Sequence, residues 1–335
     1  MTSNGANGIT PAGEQSKRAS PGDVTFRSVL AEDATVQAAL QSWVPMECYQ
    51  LANGDQVGQV DILALGAERL VRERQDAAVQ KLGIMPTGLC TISLSRIPTV
   101  RFSDILEKDD QLVFFLPENT EFDVHVPSGI ETAYISFCQD EFLQAARTLD
   151  PEGWETVPRQ LTWLQTPQKA ALWEAIDQWF RLAGGEAGIV PQADVLQKAL
   201  FETVLQVATA VPLNCAGDPS SSTRRRAMRI ARAASAFIEG RLAEDNRPTI
   251  IEICRELRVS RRTLQYAFLD YAGLPPTAYM RRVRLNRARE ALRKGHAQTT
   301  TVTETAMRFG FLHLGRFAWD YKTLFGESPS ATLAA

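Results

Sequence analysis

Several patterns that mark common protein classes are missing from this chain of 335 residues. It has no uninterrupted apolar run of the roughly 18 residues that a membrane span needs, and no basic segment followed by an apolar one at its N-terminus. We therefore predict a cytoplasmic protein with no membrane partner. The five cysteines are widely spaced and form no Cys-x-x-Cys pair, so we interpret most of them as small buried residues in a reducing compartment.

Histidine is scarce, and the common catalytic motifs do not occur. Of the three histidines, only His125 precedes Thr223. A catalytic metal in a β-barrel needs a cluster of His with a carboxylate, so we predict no metal site and no cofactor. The chain also lacks the Gly-x-Ser-x-Gly nucleophile motif and the Gly-x-x-x-x-Gly-Lys phosphate-binding motif. These absences argue against an enzyme.

Charge is divided unevenly along the chain. The formal net charge is only −3, but residues 223–335 carry 21 Lys and Arg against 10 Asp and Glu, a balance of +11. The preceding residues carry 15 basic and 29 acidic side chains, a balance of −14. A basic C-terminal part on an acidic body favours phosphate binding by that part, although a solvated charged face would give the same count.

The first 210 residues predict a mixed α+β domain. Residues 1–22 are rich in Ser, Gly, Asn and Pro without periodicity, which indicates a disordered tail. Residues 23–210 begin with short strands at intervals of about ten residues, typical of a small antiparallel β-sandwich or barrel of cupin-like form. The predicted strands are Val44–Leu51, Val57–Ala64, Arg69–Arg74, Gly88–Ser93, Gln111–Phe115, Phe122–Val126 and Thr132–Phe137. Ala52–Asp55 is predicted to be a hairpin turn between the first two strands.

Helices follow the strands. The two most amphipathic span Pro167–Ala183 and Ala193–Ala210. The apolar face of the first contains Ala171, Trp173, Ile176, Trp179 and Phe180. The apolar face of the second contains Val195, Leu196, Leu200, Val204 and Val207. These faces either pack against the sheet or form a dimer interface, and the sequence leaves both open. Residues 211–223 are predicted to be a linker by composition.

Residues 224–335 contain one pattern twice, after a basic helix at Arg224–Leu242. Apolar side chains at spacings of four and three are repeated in Leu264, Phe268, Tyr271 and in Phe317, Tyr321, Leu324. The copies match at a shift of 53 residues after the turn and 52 before it, so the second turn has one extra residue. Each copy predicts a short helix, a turn and a longer amphipathic helix, which is the helix-turn-helix pattern. Two such units joined by a long helix, Pro276–Lys294, predict an all-α domain that binds double-stranded DNA.

These motifs resemble those of the AraC/XylS-type transcription regulators. The resemblance rests on SRRTLQYAF, the Gly273 and Pro276 pair, RVRLNRAREAL and TVTETAMRFGFLHLGRFAWDYKTLFGESPSATL, and covers roughly the last 100 residues. Within the family, CRELRVSRRTLQ and MRFGFLHLGRFAWDY are most similar to the subgroup that contains the ethanolamine-utilisation regulator. One departure is Arg258, where the second turn has Gly310. Because Arg resists the positive φ that Gly permits, we predict a different shape for the first turn.

The resemblance implies a division of labour between the two halves. It implies that the N-terminal domain of this chain binds a small-molecule effector or forms a homodimer. The C-terminal domain would then activate transcription together with RNA polymerase. The subgroup makes ethanolamine with a cobalamin one candidate effector. Aromatic candidates for lining an effector pocket are Trp43, Tyr49, Phe114, Phe115, Phe122, Tyr134 and Phe137, with the ordinary core as the alternative role.

In a helix-turn-helix unit, outward residues near the start of the second helix reach base edges in the major groove. In the first unit, the inner face leaves Arg261, Arg262, Gln265 and Tyr266 outward, after a predicted cap at Ser260. Arg262 suits guanine and Gln265 suits adenine. The family's base-reading positions fall by resemblance on Arg262, Gln265 and Tyr266.

In the second unit, Gly315, Arg316 and Trp319 take the reading positions. Arg316 is the best base reader there, and Trp319 is either a reader or a core residue. His313 is predicted to be a cap or a phosphate contact. Arg281, Arg282 and Arg284 on the joining helix are candidate phosphate contacts, with a solvated helix face as the alternative.

The sequence therefore predicts a sequence-specific DNA-binding transcriptional regulator, an activator controlled by a small-molecule effector. An effector-independent repressor or architectural DNA-binding protein stays open. So does a cupin-like enzyme fused to a DNA-binding module.

Overall fold

A computed structural model describes residues 24–185, 192–211, 222–244, 246–296 and 299–335. The predicted tail lies outside the described residues, and so does most of the predicted linker. The strands are β1 Val24–Ala31, β2 Met46–Gln50, β3 Gly58–Leu65, β4 Glu68–Gln75, β5 Val79–Ile84, β6 Leu89–Ser95, β7 Arg101–Phe102, β8 Ile105–Leu106, β9 Leu112–Leu116, β10 Glu121–Val126, β11 Glu131–Cys138 and β12 Thr162–Gln165. The helices are α1 Ala34–Ala39, α2 Gln139–Leu149, α3 Lys169–Ala183, α4 Ala193–Thr209, α5 Ser222–Ala243, α6 Ile250–Glu256, α7 Arg261–Ala272, α8 Pro276–Lys294, α9 Val302–Arg308, α10 Leu314–Phe325 and α11 Pro329–Ala334.

The strands form two antiparallel sheets. One has seven strands in the order β1-β3-β4-β11-β6-β9-β12, and the other has five in the order β2-β5-β10-β7-β8. Neighbouring residues of β9 face opposite sides of the larger sheet, as the two-residue period of a strand requires. Phe114 stacks on Phe102 of the smaller sheet, with ring centroids 4.2 Å apart, while Phe115 stacks on Phe142 of α2 at 5.8 Å. The larger sheet therefore has the smaller sheet on one face and helices on the other.

All seven predicted strands are present, as β2, β3, β4, β6, β9, β10 and β11, with ends displaced by at most two residues. The predicted hairpin at Ala52–Asp55 is wrong, because β2 pairs with β5 and β3 pairs with β1 and β4. The sequence pattern missed β5 because its buried Gln80 and Lys81 interrupt the apolar signal. Residues 52–55 instead connect the two sheets.

The two amphipathic helices α3 and α4 bury their apolar faces against the larger sheet. Trp173, Trp179 and Leu200 belong to the same core as Phe137 of β11. Two residues that were predicted to lie on these apolar faces are not buried. Ala171 and Val195 are exposed, while Leu172, next to Ala171, is buried. Packing against the sheet thus accounts for the buried residues of both helices.

The C-terminal helices repeat with the spacing seen in the sequence. The short helices α6 and α9 begin 52 residues apart, at Ile250 and Val302, and the longer helices α7 and α10 begin 53 apart, at Arg261 and Leu314. The intervals between the paired helices are four and five residues, so the extra turn residue is present. Helix α8, 19 residues long, joins the two pairs, and at 1.5 Å per residue it spans about 28 Å.

The edge strand β2 connects the sheets to these helices. The Gln50 backbone N–H donates to Asn286 Oδ1 at 2.9 Å, and Asn286 Nδ2 donates back to the Gln50 carbonyl at 2.9 Å. The Gln50 side chain and the Gly54 N–H both donate to the Leu324 carbonyl, at 2.8 and 3.1 Å. Backbone groups at an edge strand need partners when they are covered. Helices α8 and α10 supply them here.

Candidate nucleic-acid interface

The first helix pair presents a capped helix with a buried inner face. Ser260 is the N-cap of α7, and its side chain accepts from the Thr263 N–H at 3.1 Å, as predicted. Leu264, Phe268 and Tyr271 are buried. The packing of this face fixes which residues of α7 point outward.

The outward residues of α7 are the predicted ones. Arg261, Arg262, Gln265 and Tyr266 are exposed. The Arg262 guanidinium lies over the Tyr266 ring, 5.6 Å from its centroid, and Nη2 donates to the Tyr266 hydroxyl at 3.5 Å. The cation–π contact holds Arg262 along the helix axis while leaving its donors accessible.

The second helix pair has the same inner face and a different outer one. Phe317, Tyr321 and Leu324 of α10 are buried. Gly315, Arg316 and Trp319 are exposed, and Trp319 is 61% accessible, so it is not a core residue. His313 occupies the N-cap position of α10, but its side chain makes no capping hydrogen bond. The start of α10 therefore has free N–H groups.

The two turns have the same backbone conformation, which overturns the prediction for Arg258. Arg258 has φ of 51° and Gly310 has φ of 73°, both in the left-handed region. Because both turns must redirect the chain between similarly placed helices, the first adopts this conformation although it has a side chain. The strain expected for a non-glycine residue is of the order of 1 kcal/mol.

The three arginines of α8 that were predicted to contact phosphate differ in what they contact. Arg281 forms an ion pair with Asp320 of α10. Arg284 donates from Nε to the Phe309 carbonyl and from Nη2 to the Gly310 carbonyl, each at 2.7 Å. Burial, followed by repulsion from Arg247, lowers the pKa of Arg284 to about 10. Arg281 and Arg284 thus attach the second helix pair to α8, and Arg282 is partly exposed beside them.

Two residues in these contacts were not predicted from the sequence. Asp320 is buried on α10 and also lies 3.4 Å from Arg316 Nε, so two arginines share it. Arg247, just before α6, donates to the Gly310 carbonyl at 2.7 Å. The sequence contains one sign of the role of Asp320. This acidic residue stands at the position where the first copy of the repeated pattern has Ala267, which is buried.

A second candidate site lies between the two sheets. A cavity of about 50 Å³ is lined by apolar side chains and by the polar groups of Gln41, Lys81, Thr91, Ser93, Tyr134 and Ser136. Lys81 forms an ion pair with the buried Glu73, and its Nζ lies 3.4 Å from the Tyr134 hydroxyl. Burial would lower the pKa of Lys81, but the Glu73 carboxylate outweighs it and raises that pKa. Lys81 therefore keeps its positive charge inside the domain.

Of the predicted aromatic lining, Trp43, Phe122 and Tyr134 face this cavity. Phe115 and Phe137 pack in the helix-covered core instead. Burial lowers the pKa of His125 to about 4. Within the part of the chain that the structure describes, no group of three His, Cys, Asp or Glu side chains could hold a metal ion. Across those same ranges, no helix is both long and apolar enough to cross a membrane.

Residues 253–335 match a family model described as a helix-turn-helix domain. The helix-turn-helix match runs from the fourth residue of α6 to the end of the chain and so includes both helix pairs. The chain is 39% identical over 105 residues to the probable thc operon regulatory protein of Rhodococcus erythropolis, covering 31% of each protein. It is 42% identical over 98 residues to the XylDLEGF operon transcriptional activator of Pseudomonas putida, covering 29% of this chain and 30% of that one. The matched stretch thus spans about a third of these curated relatives.

Solved structures similar to the chain include transcriptional regulators. A probable AraC family transcriptional regulator from Rhodopseudomonas palustris CGA009 is 38% identical, with 32% of this chain and 95% of that chain covered and a TM-score of 0.29. The AraC-like transcriptional activator CuxR is 17% identical, with 85% of this chain and 100% of that chain covered and a TM-score of 0.41.

Proposed function

We propose that this chain is a sequence-specific DNA-binding transcriptional regulator of the AraC/XylS type. The observation that carries the proposal is the repeated helix pair, with one face of each longer helix buried and Arg262 and Arg316 exposed on the other. Both pairs act as helix-turn-helix units in this proposal, and α7 and α10 are the recognition helices. The relatives at about 40% identity over the matched stretch support it, since both are named as regulators of operons.

Each recognition helix enters a major groove, and the two grooves lie one helical turn apart, about 34 Å. In the first unit Arg262 pairs with guanine and Gln265 pairs with adenine. Tyr266 and Arg261 contact the DNA that flanks these two bases. In the second unit Arg316 and Trp319 lie beside the bases, and Gly315 lets the helix approach closely. Ser260 and His313 stand at the helix starts, where a phosphate would meet free N–H groups.

Among the arginines of α8, Arg282 is the best candidate for a direct phosphate contact. Arg281 and Arg284 already hold protein partners, Asp320 and the carbonyls of the second turn. These two arginines would act indirectly by fixing α10 relative to α8. A weaker binding of all sequences by an Arg282→Ala variant, with a smaller salt dependence, would support this assignment.

We further propose that the N-terminal domain is a cupin-like sensor that binds a small effector in the cavity between the sheets. Lys81 lines this cavity, and its ammonium group is paired with the buried Glu73 behind it. The apolar walls and hydroxyl groups of the cavity suit a small uncharged molecule with one or two hydrogen-bonding groups. A cobalamin is far larger than a cavity of about 50 Å³, so the cavity favours a free small effector over the ethanolamine and cobalamin pair.

Activation of transcription with RNA polymerase and assembly as a homodimer complete the proposal. The cavity favours effector control over an effector-independent repressor, because such a repressor has no need of it. A thermal-shift screen with small metabolites distinguishes the two. A ligand at 100 times its Kd should stabilise the domain by about 2.7 kcal/mol, whereas no stabilisation by any compound, ethanolamine included, would favour the repressor.

DNA binding is tested with the full chain and a random duplex library. Fluorescence anisotropy should detect a preferred sequence whose association constant falls steeply and log-linearly with salt concentration. The matched control is Lys198→Ala, which changes an exposed cation on α4 and should leave both sequence preference and salt slope intact. Absence of salt-sensitive DNA binding would refute the proposed function.

A further inference from the structure

The two recognition helices present different chemistry at equivalent outward positions. With the shift of 53, the first triplet, Arg262, Gln265 and Tyr266, corresponds to the second triplet, Gly315, Ala318 and Trp319. All six residues are exposed. Arginine and glutamine in the first triplet can each make two hydrogen bonds to a base edge. The second triplet has a single polar group, the indole N–H of Trp319.

We propose that the second helix reads the methyl groups of thymine through Ala318 and Trp319. The inference rests on the proposed function and specifies how its second unit chooses DNA. Apolar side chains read the major groove by contact with the thymine C5-methyl, which no other base of unmodified DNA carries there. The operator should therefore combine one half-site chosen by hydrogen bonds with a second half-site chosen by its thymines.

Two more large apolar side chains near the start of α10 are exposed. Leu312 in the second turn is 70% exposed, and Leu314 at the start of α10 is also accessible. At the start of the first recognition helix, the charged Arg261 stands at the position equivalent to Leu314. Leaving large apolar side chains in water is unfavourable, so burying them against methyl groups contributes to affinity.

Arg316 stands outside the second triplet, because with the shift of 53 it corresponds to Thr263. Its Nε lies 3.4 Å from Asp320 Oδ1, and its Cζ lies 5.4 Å from the Trp319 ring centroid. The carboxylate and the ring hold Arg316 on the flank of the helix, where it supports Trp319. A Cβ added at Gly315 would meet no protein atom within 4 Å. The absence of a side chain there leaves the helix backbone free to come close to the bases, so that the short Ala318 can reach a methyl group.

The test removes single methyl groups from DNA. The DNA duplex that the full chain prefers is first found by selection. The Arg262→Ala variant then identifies the first half-site, because this is the half-site in which the variant loses its preference at one base position. Thymine is then replaced by uracil, one position at a time. In the second half-site we expect a loss of affinity of about 3- to 10-fold at one or two positions, the effect of one buried methyl group. In the first half-site the loss should stay below about 2-fold.

Matched variants connect the effect to the protein. Ala318→Gly should abolish the uracil effect at one position of the second half-site and leave any effect at the position read by Trp319. Ala318→Gln should shift the preference at the Ala318 position from thymine towards adenine, as Gln265 does in the first unit. Gln265→Ala should change the first half-site and leave the uracil effect intact. Ala318 is exposed, so these variants should fold, and circular dichroism verifies it.

Several results would overturn the inference. Equal affinity for thymine and uracil throughout the second half-site would refute it, while sequence-specific, salt-sensitive binding in the same assay would leave the proposed function standing. If Trp319→Ala bound DNA normally but abolished transcription in vitro with RNA polymerase, the apolar face would contact protein, and methyl reading would be wrong. No DNA binding at all would refute both proposals.

Discussion

Arg258 occupies a backbone conformation that suits glycine better. Its φ of 51° places the Cβ close to the following carbonyl, and its side chain is exposed. We predict that Arg258→Gly stabilises the protein by up to about 1 kcal/mol, because relief of strain exceeds the added entropy of the unfolded chain. Urea denaturation measures the change. The same substitution at helical Arg255 should cost about 1 kcal/mol, and a loss at both positions would contradict the strain assigned to Arg258.

In the proposed function, base recognition by the first unit depends most on Arg262. Arg262→Ala should weaken binding to the preferred duplex by about 1–3 kcal/mol and relax the preference at one base position. Anisotropy titrations against duplexes changed at single positions measure both effects. An equal loss of affinity on all sequences would instead make Arg262 a phosphate contact.

At the scale of the helix, α7 and α10 differ in how they begin. Helix α7 has a side-chain cap from Ser260, whereas α10 begins at His313 without one. A missing cap leaves several N–H groups dependent on water or on a ligand. This difference in capping should affect the free energy of unfolding, and substitutions at the two cap positions should reverse it.

Ser260→Ala should destabilise the protein by about 1 kcal/mol, and His313→Ser should stabilise it by about 0.5–1 kcal/mol. Chemical denaturation of the free protein measures both changes. A His313→Ala control separates the gain of a cap from the loss of the imidazole. If His313→Ser and His313→Ala had the same stability, the serine would not be capping α10.

For the whole molecule, the sheets and the C-terminal helices share buried polar contacts. Arg101 of β7 pairs with Asp123 of β10 at 2.7 Å, with both side chains almost fully buried. Its Nε donates to the Tyr271 carbonyl of α7 at 2.8 Å, and its guanidinium lies 4.2 Å from the Tyr271 ring. One side chain thus connects the smaller sheet to α7.

Arg101→Ala should lower stability by about 3–5 kcal/mol, because it leaves the Asp123 carboxylate buried without its partner. The matched control is Arg232→Ala, which breaks a half-exposed pair with Asp104 at 3.3 Å and should cost less than about 1 kcal/mol. Urea denaturation of both variants measures the difference. Equal, small losses would mean that water reaches Asp123 in the folded protein.

The predictions from sequence were most accurate where structure depends on neighbouring residues. The period of the apolar side chains located α7 and α10, and the repeat located the extra residue of the second turn. Seven strands were found because short stretches containing apolar residues recur at intervals of about ten residues. The strand β5 was missed because Gln80 and Lys81 are polar and buried, a state that only partners from other elements make possible.

The sequence by itself determined the helices, their inner faces and the outward residues of each repeated unit, because these follow from periodicity within about a dozen residues. Only the tertiary structure decided how the elements meet. Asn286 pairs with Gln50 across 236 residues of chain, and Asp320 attracts Arg281 and Arg316 although no local pattern links all three. The pairing of β2 with β5, and the shared conformation of the turns at Arg258 and Gly310, were decided in the same way. Such contacts depend on packing between distant segments, where backbone and charged groups must find partners once water is excluded.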